Sequence, residues 1–373
     1  MTGGQRHKIG FLTGIMTALI CIGSEWCSAQ EIEFPYPFPM YPLGPSTDTI
    51  EICILGDMMM HTAQIENAHK GGSEYDFSSY FKSLEDRIRH ADIAVANMEF
   101  TLAGEPYSGY PAFSAPDSYA TYLSSLGIDV FLTANNHIFD KGATGAQRTI
   151  DMFRKLGIDI TGIAENQQMH DEVFPLILEC KGASIAILNA TYGTNTGTGK
   201  EWPKTMKLSE KDAMAAALAK ADTCDFVLVL PHWGDEYILR HSAAQETMAR
   251  WFIRHGADAI IGAHPHVIQD FQKIDGVPVF YSIGNAVSNM SAANTQMELM
   301  VTLKIVRYHN GNIKLLEPGY ELLWCSRPGG YCSSYTVLPT EEFIGSRSHW
   351  HGPWEYDKMT ETRKRIKNIL DNE

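Results

Sequence analysis

The chain has 373 residues, 44% apolar and 20% charged, which is enough apolar side chain to bury a sizeable core and excludes general disorder. Lys and Arg total 30 against 44 Asp and Glu, a formal charge of −14, so there is no electrostatic footprint for nucleic acid and no attraction to an anionic membrane. The 7 Cys are too sparse for a disulfide scaffold.

Met1–Ala29 reads as an export signal. Arg6 and Lys8 precede the apolar run Ile9–Ile22, and Cys27-Ser28-Ala29 places small residues before a cut at Gln30. The run is shorter than the roughly 20 residues of a spanning helix. The alternative is a short uncleaved anchor. No span is expected after cleavage, which places the chain in the periplasm, at the cell surface or outside the cell. Residues 30–49 hold Pro35, Pro37, Pro39, Pro42 and Pro45 and read as an extended linker.

From Ile50 onward, short apolar runs alternate with helical spacing. Strands are expected over Ile50–Leu55, Ile93–Ala96, Ile128–Thr133, Ser184–Leu188, Phe226–Leu230, Ala259–Ile261 and Val277–Ser282. Helices are expected over Phe77–His90, Ala115–Leu126, Gly145–Leu156, Ser209–Ala221 and Ser242–His255. The alternation predicts an α/β protein with much parallel pairing. Residues 50–300 read as one catalytic-type domain. Residues 301–373 read as a hairpin turning at Asn310-Gly311-Asn312 and a closing helix over Thr360–Leu370 that packs on it. Cys325 and Cys332 flank a turn-rich loop, and in an exported chain both the paired and the free state are open.

Polar residues gather just past the strand-like runs. Asp57 follows Ile54-Leu55, Glu99 follows Val95-Ala96, and Asn136 and His137 follow Leu132-Thr133-Ala134. His232 follows Val229-Leu230, and His264 and His266 follow Ile260-Ile261. A Gly-Asp after a strand is ordinarily a turn, and a His after a proline is ordinarily a core His. Five such deliveries at one edge point instead to the crevice beyond the strand ends, where α/β sites form. Carboxylate, amide and imidazole without thiolate suit two divalent ions of Mn, Zn or Fe, with Glu99 as the natural bridge. Asp140 is spaced to accept from one ring nitrogen of His137, which leaves the other for proton transfer. Glu236, Tyr237 and Arg240 follow His232 and are candidate substrate contacts. Tyr107–Pro116 is aromatic and loop-like and reads as a lid or rim.

The ordered series Gly56-Asp57, Asn97-x-Glu99, Ala134-Asn-Asn-His-x-x-Asp140-x-Gly142, His232-Trp-Gly-x-Glu-Tyr237, Gly262-x-His-Pro-His266-Val-x-Gln269 and Tyr281-Ser-Ile-Gly-Asn285 resembles bacterial CapA-like capsule synthesis proteins. These are linked with poly-gamma-glutamate capsule biosynthesis and belong to the calcineurin-like metallophosphatase superfamily. The resemblance covers about residues 50–290. It implies a four-layer α/β/β/α sandwich. It implies Asp57 and His266 on a first metal, Glu99 bridging, Asn136, His232 and His264 on a second, and His137 as general acid oriented by Asp140. The superfamily's Asp-x-His motif has Met59 at its His position, and His61, two residues later, is a further candidate ligand. Ala286 stands where an aromatic residue is common. The resemblance implies a metal-dependent hydrolase of phosphoester or amide. The alternative is a capsule-polymer binding or assembly factor that retains the metal-site fold without turnover. The expected partners are a small-molecule or acidic-polymer substrate and the capsule-synthesis machinery.

Overall fold

A computed structural model describes residues 48–309 and 311–371. The expected export signal, residues 30–47 of the Pro-rich segment and Asn310 of the expected turn lie outside them. Strand β1 (Asp48–Met58) leads through helix α1 (Thr62–Ala68) toward β2 (Ile93–Met98). Helix α2 (Asp117–Leu126) then joins β2 to β3 (Val130–Leu132), and α3 (Gly142–Leu156) joins β3 to β4 (Asp159–Thr161). These four strands run parallel, each beside the one before it. Of the expected helix Phe77–His90, only Glu85–His90 is helical. The turns before it bury Phe77, Tyr80, Phe81 and Leu84, so those side chains anchor a loop instead of one helix face.

A second sheet follows, made of β5 (Leu176–Cys180), β6 (Ala183–Thr191), β7 (Phe226–His232), β8 (Ala259–Ile261), β9 (Phe271–Ile274) and β10 (Val277–Phe280). Its order is β9-β10-β8-β7-β6-β5. The four inner strands are parallel, and the two edges are antiparallel. Helices α4 (Lys211–Ala221) and α5 (Ala243–Arg254) connect β6 to β7 and β7 to β8.

The C-terminal segment does not stand apart from this body. Strand β11 (Met297–Arg307) pairs antiparallel with β1, and β12 (Ile313–Leu315), β13 (Gly319–Ser326) and β14 (Thr336–Pro339) extend from it. The first sheet therefore runs β14-β13-β11-β1-β2-β3-β4, with β12 also on β11. The reason is apolar alternation: Leu299, Val301, Leu303 and Ile305 all point into the core between the sheets. The last helix, α6 (Pro353–Leu370), adds Met359 and Ile366 to that same core.

Period-two alternation sorts each strand between two cores. Ile52, Ile54, Val95 and Val130 of the first sheet meet Ile185, Ile187, Leu228 and Ile261 of the second. Cys53, Leu55, Ala96 and Phe131 face the helix side with Tyr119, Leu123, Ile150 and Phe153. Ala186, Leu188, Val227 and Val229 face Met214, Leu218 and Phe252 on the far side. The layers are thus α/β/β/α, as expected. Cys325 and Cys332 are both free thiols: Cys325 is buried at the end of β13, and its sulfur faces the Ser288 carbonyl.

Leu228 is fully buried between the sheets, and its truncation leaves a cavity that neither sheet closes. Leu228→Ala is expected to lower unfolding free energy by about 2–5 kcal/mol, measured by urea denaturation.

Candidate metal centre

The parallel strands of both sheets end on the same side of the interlayer core. Asp57 is the last residue but one of β1, and Glu99 lies one residue past β2. Asn136 and His137 follow β3, His232 is the last residue of β7, and His264 and His266 follow β8. Sheet-to-sheet packing therefore closes the centre across the interface. His232 Nε2 lies 2.8 Å from Asn136 Oδ1 and 3.7 Å from Glu99 Oε1. Gly262 permits the tight exit from β8, because a Cβ there would sit 2.2 Å from the Tyr281 carbonyl oxygen. His264 and His266 then adopt φ of 101° and 58°, left-handed values that cost non-glycine residues energy and concentrate at functional sites.

The ligand-type atoms fall into overlapping groups. Asp57, Glu99 and His266 offer atoms within 4.8 Å of one another, as do Glu99, His232 and His264. Glu99 is shared. A third group joins Glu236 to His264 and His266 within the same distance. All but Glu236 are buried.

The electrostatics of this set fit cations. Glu99 is fully buried, and neither carboxylate oxygen has a hydrogen-bond partner. Burial, with Asp57 adding repulsion, pushes its pKa well above the ordinary value. His264 Nδ1 and Asn97 Oδ1 are also buried without partners. Burial holds His232 well below its ordinary pKa and lowers His264 to about 3, so both imidazoles stay neutral. Burial also opposes charge on His266. The carboxylates of Glu99 and Asp57 outweigh it and raise His266 to about 10. Its Nδ1 lies 3.2 Å from Asp57 Oδ2 and 3.7 Å from Glu99 Oε2. Unpartnered buried oxygens beside neutral imidazoles match the donor chemistry of Mn, Zn or Fe.

His137 sits at the edge of this centre. Its Nδ1 is 2.7 Å from Asp140 Oδ2, and that oxygen also accepts the Phe113 N–H at 2.8 Å. The Asp140 contact assigns the Nδ1 proton and turns Nε2 toward Glu99, 4.0 Å away. Phe113 packs edge-on to the imidazole at 4.7 Å.

Two expected residues stand outside these three groups. His61 is outside all three groups, because its ring is held at the start of α1: Nδ1 lies 3.1 Å from Gln64 Oε1 and 3.2 Å from the Asn289 N–H. Arg240 faces Asp270, with Nη1 3.6 Å from Oδ2 and a side chain 62% exposed, because that nearly buried carboxylate offers the opposite charge. Tyr237 does reach the centre, 6.3 Å from the His266 ring.

Several participants were not anticipated. Asn97 donates to Asp57 Oδ1 at 2.5 Å and lies 3.3 Å from His232 Nδ1, between the two groups. Asn285 Oδ1 is 2.9 Å from His266 Nδ1. Asn195 approaches the His137 ring at 3.4 Å and donates its backbone N–H to the Asn136 carbonyl. Asn97 and Asn285 stand inside the motifs quoted above, which was their signal. Asn195 lies in a Gly- and Thr-rich loop with no signal at all.

Four layers with this donor set at the strand ends define an α/β/β/α sandwich with a candidate metal centre between its two sheets. The profile of the bacterial capsule synthesis protein PGA_cap matches residues 51–290, and the chain belongs to that family. Capsule biosynthesis protein CapA of Bacillus anthracis is 27% identical over 300 residues, 77% of this chain and 70% of that protein. PGA biosynthesis protein CapA of Bacillus subtilis (strain 168) is 25% identical over 287 residues, 72% of this chain and 71% of that protein. Among solved structures, the NAD nucleotidase NadN of Haemophilus influenzae aligns with a TM-score of 0.41 and 14% identity, over 86% of this chain and 61% of NadN.

Metal binding must displace the His266 proton, so affinity is expected to rise about tenfold per pH unit until the pH nears about 10. Calorimetric titration with Mn²⁺ in buffers of different ionisation enthalpy checks this, as release of at least one proton per centre filled.

Proposed function

We propose that this chain is an exported hydrolase that uses two divalent cations to cleave a phosphoester or an amide in capsule-polymer biosynthesis. One observation carries the reading. Glu99, buried with both oxygens unpartnered, is shared by two donor groups and faced by the free nitrogen of His137. Asp57, Glu99 and His266 would hold one cation. Glu99, His232 and His264, with Asn136, would hold the other. Cations held there supply Lewis acidity toward water and toward the substrate's oxygens.

The remaining chemistry belongs to the side chains. Asp140 accepts from Nδ1–H and fixes the His137 ring, so Nε2 of the imidazolium form would give its proton to the leaving group and leave the neutral Nδ1–H tautomer behind. The Phe113 ring and the burial of His137 keep bulk water from competing for that proton. The capsule assignment draws on the family and on the names of the Bacillus relatives. Export draws on the pattern of Met1–Ala29. Among the described residues, no helix is long and apolar enough to cross a membrane. The substrate on this reading is a small molecule or an acidic polymer, met alongside the capsule-synthesis machinery.

One observation favours a second reading, a binding or assembly factor without turnover. Met59, at the position where the superfamily motif has His, is buried in the helix-side core and leaves the first group with three protein donors.

Protein loaded with Mn²⁺ or Zn²⁺ is expected to hydrolyse p-nitrophenyl phosphate, its diester or a gamma-glutamyl amide. His137→Ala is expected to lower kcat by about 10²–10⁴-fold with metal content unchanged. Full metal content with no turnover on all three would favour the binding role.

A further inference from the structure

Three tyrosines from three loops surround the centre. Tyr110 is 72% exposed, and its ring lies 6.4 Å from that of His137. Tyr192, directly after β6, is 46% exposed and lies 4.5 Å from His264. Tyr237 is 42% exposed and lies beside His266. Its backbone takes φ of 66°, and its N–H donates to the Pro265 carbonyl at 2.8 Å, which ties it to the His-Pro-His turn. Leaving three rings in water forgoes the stabilisation that burial would bring, and Tyr237 adds backbone strain to that.

The charge around these rings is one-sided. Glu236 is exposed beside His264 and His266. Among the described residues, no Lys or Arg forms an ion pair with Asp57, Glu99, Asp140 or Glu236. The mouth therefore offers π faces, phenol hydroxyls and a carboxylate. These suit a hydroxyl-rich, uncharged ring.

A pyranose, with C–H groups on its faces and hydroxyls around its edge, suits exposed π faces from separate loops and a nearby carboxylate acceptor.

We propose that Tyr110, Tyr192 and Tyr237 form a pyranose-binding rim, so that the substrate carries a sugar ring next to the bond placed at the centre. The position of that bond rests on the hydrolase reading above, whereas binding of the sugar does not. Saturation-transfer NMR with uncharged methyl pyranosides (gluco, galacto and N-acetylglucosamine forms) and glycerol as the ringless control separates the two. The expected result is transfer to the C–H protons of at least one pyranoside and none to glycerol. Tyr192→Ala and Tyr237→Ala are each expected to weaken pyranoside binding about tenfold at unchanged metal content. Absence of transfer to every pyranoside, equal transfer in the variants, or tighter binding of adenosine than of any pyranoside would overturn the rim. Pyranoside binding without turnover would count against the hydrolase alone.

Discussion

Glu99 carries a carboxylate that water does not reach and no donor satisfies. A charge left there is among the costliest features a protein can hold, which is why burial pushes the Glu99 pKa well above its ordinary value. His266 on one side opposes that shift, and neutral His232 and His264 lie on the other. The rest of the centre is organised about that carboxylate. His266 approaches one oxygen and pairs with Asp57, His232 and His137 approach the other, and Asn97 ties Asp57 to the region of His232.

The sandwich makes this arrangement possible. Glu99 and Asp57 leave the first sheet, and the imidazoles other than His137 leave the second. They meet only because Ile52, Ile54 and Val95 pack against Ile187, Leu228 and Ile261 across one apolar layer. Packing energy in that layer thus offsets part of the electrostatic cost at its rim. Strained turns and a glycine exit from β8 complete the approach. Stability and function are coupled here through geometry, since a shift of one sheet on the other separates the donors.

The surroundings of the centre differ in character from its interior. Inside, the carboxylates and imidazoles are buried. Outside, tyrosines and Glu236 face solvent, and the one nearby arginine named by the sequence, Arg240, is drawn off by Asp270. On the proposed reading, a cation-holding interior with an aromatic, acidic mouth would serve a cation-assisted reaction on a polar, ring-bearing ligand. Membership of the capsule synthesis family sets the biological context in which such a ligand would be found.

Much of this was legible in the chain itself. Alternating apolar runs set the strands, because burial on two faces needs a period of two. The residues past those runs set the donor list, because strand ends are where a layered sheet opens. Asp57, Glu99, His232, His264 and His266 come together in the fold from positions as far apart as 57 and 266. Three things needed the tertiary structure. The division of the donors between two sheets depends on long-range pairing that no local pattern encodes. His61 falls outside the centre because its ring is engaged by Gln64 and Asn289, the latter more than two hundred residues away in sequence. The strands after Met297 join β1 in the first sheet, because only the folded sheet exposes an edge and an apolar face for them to complete.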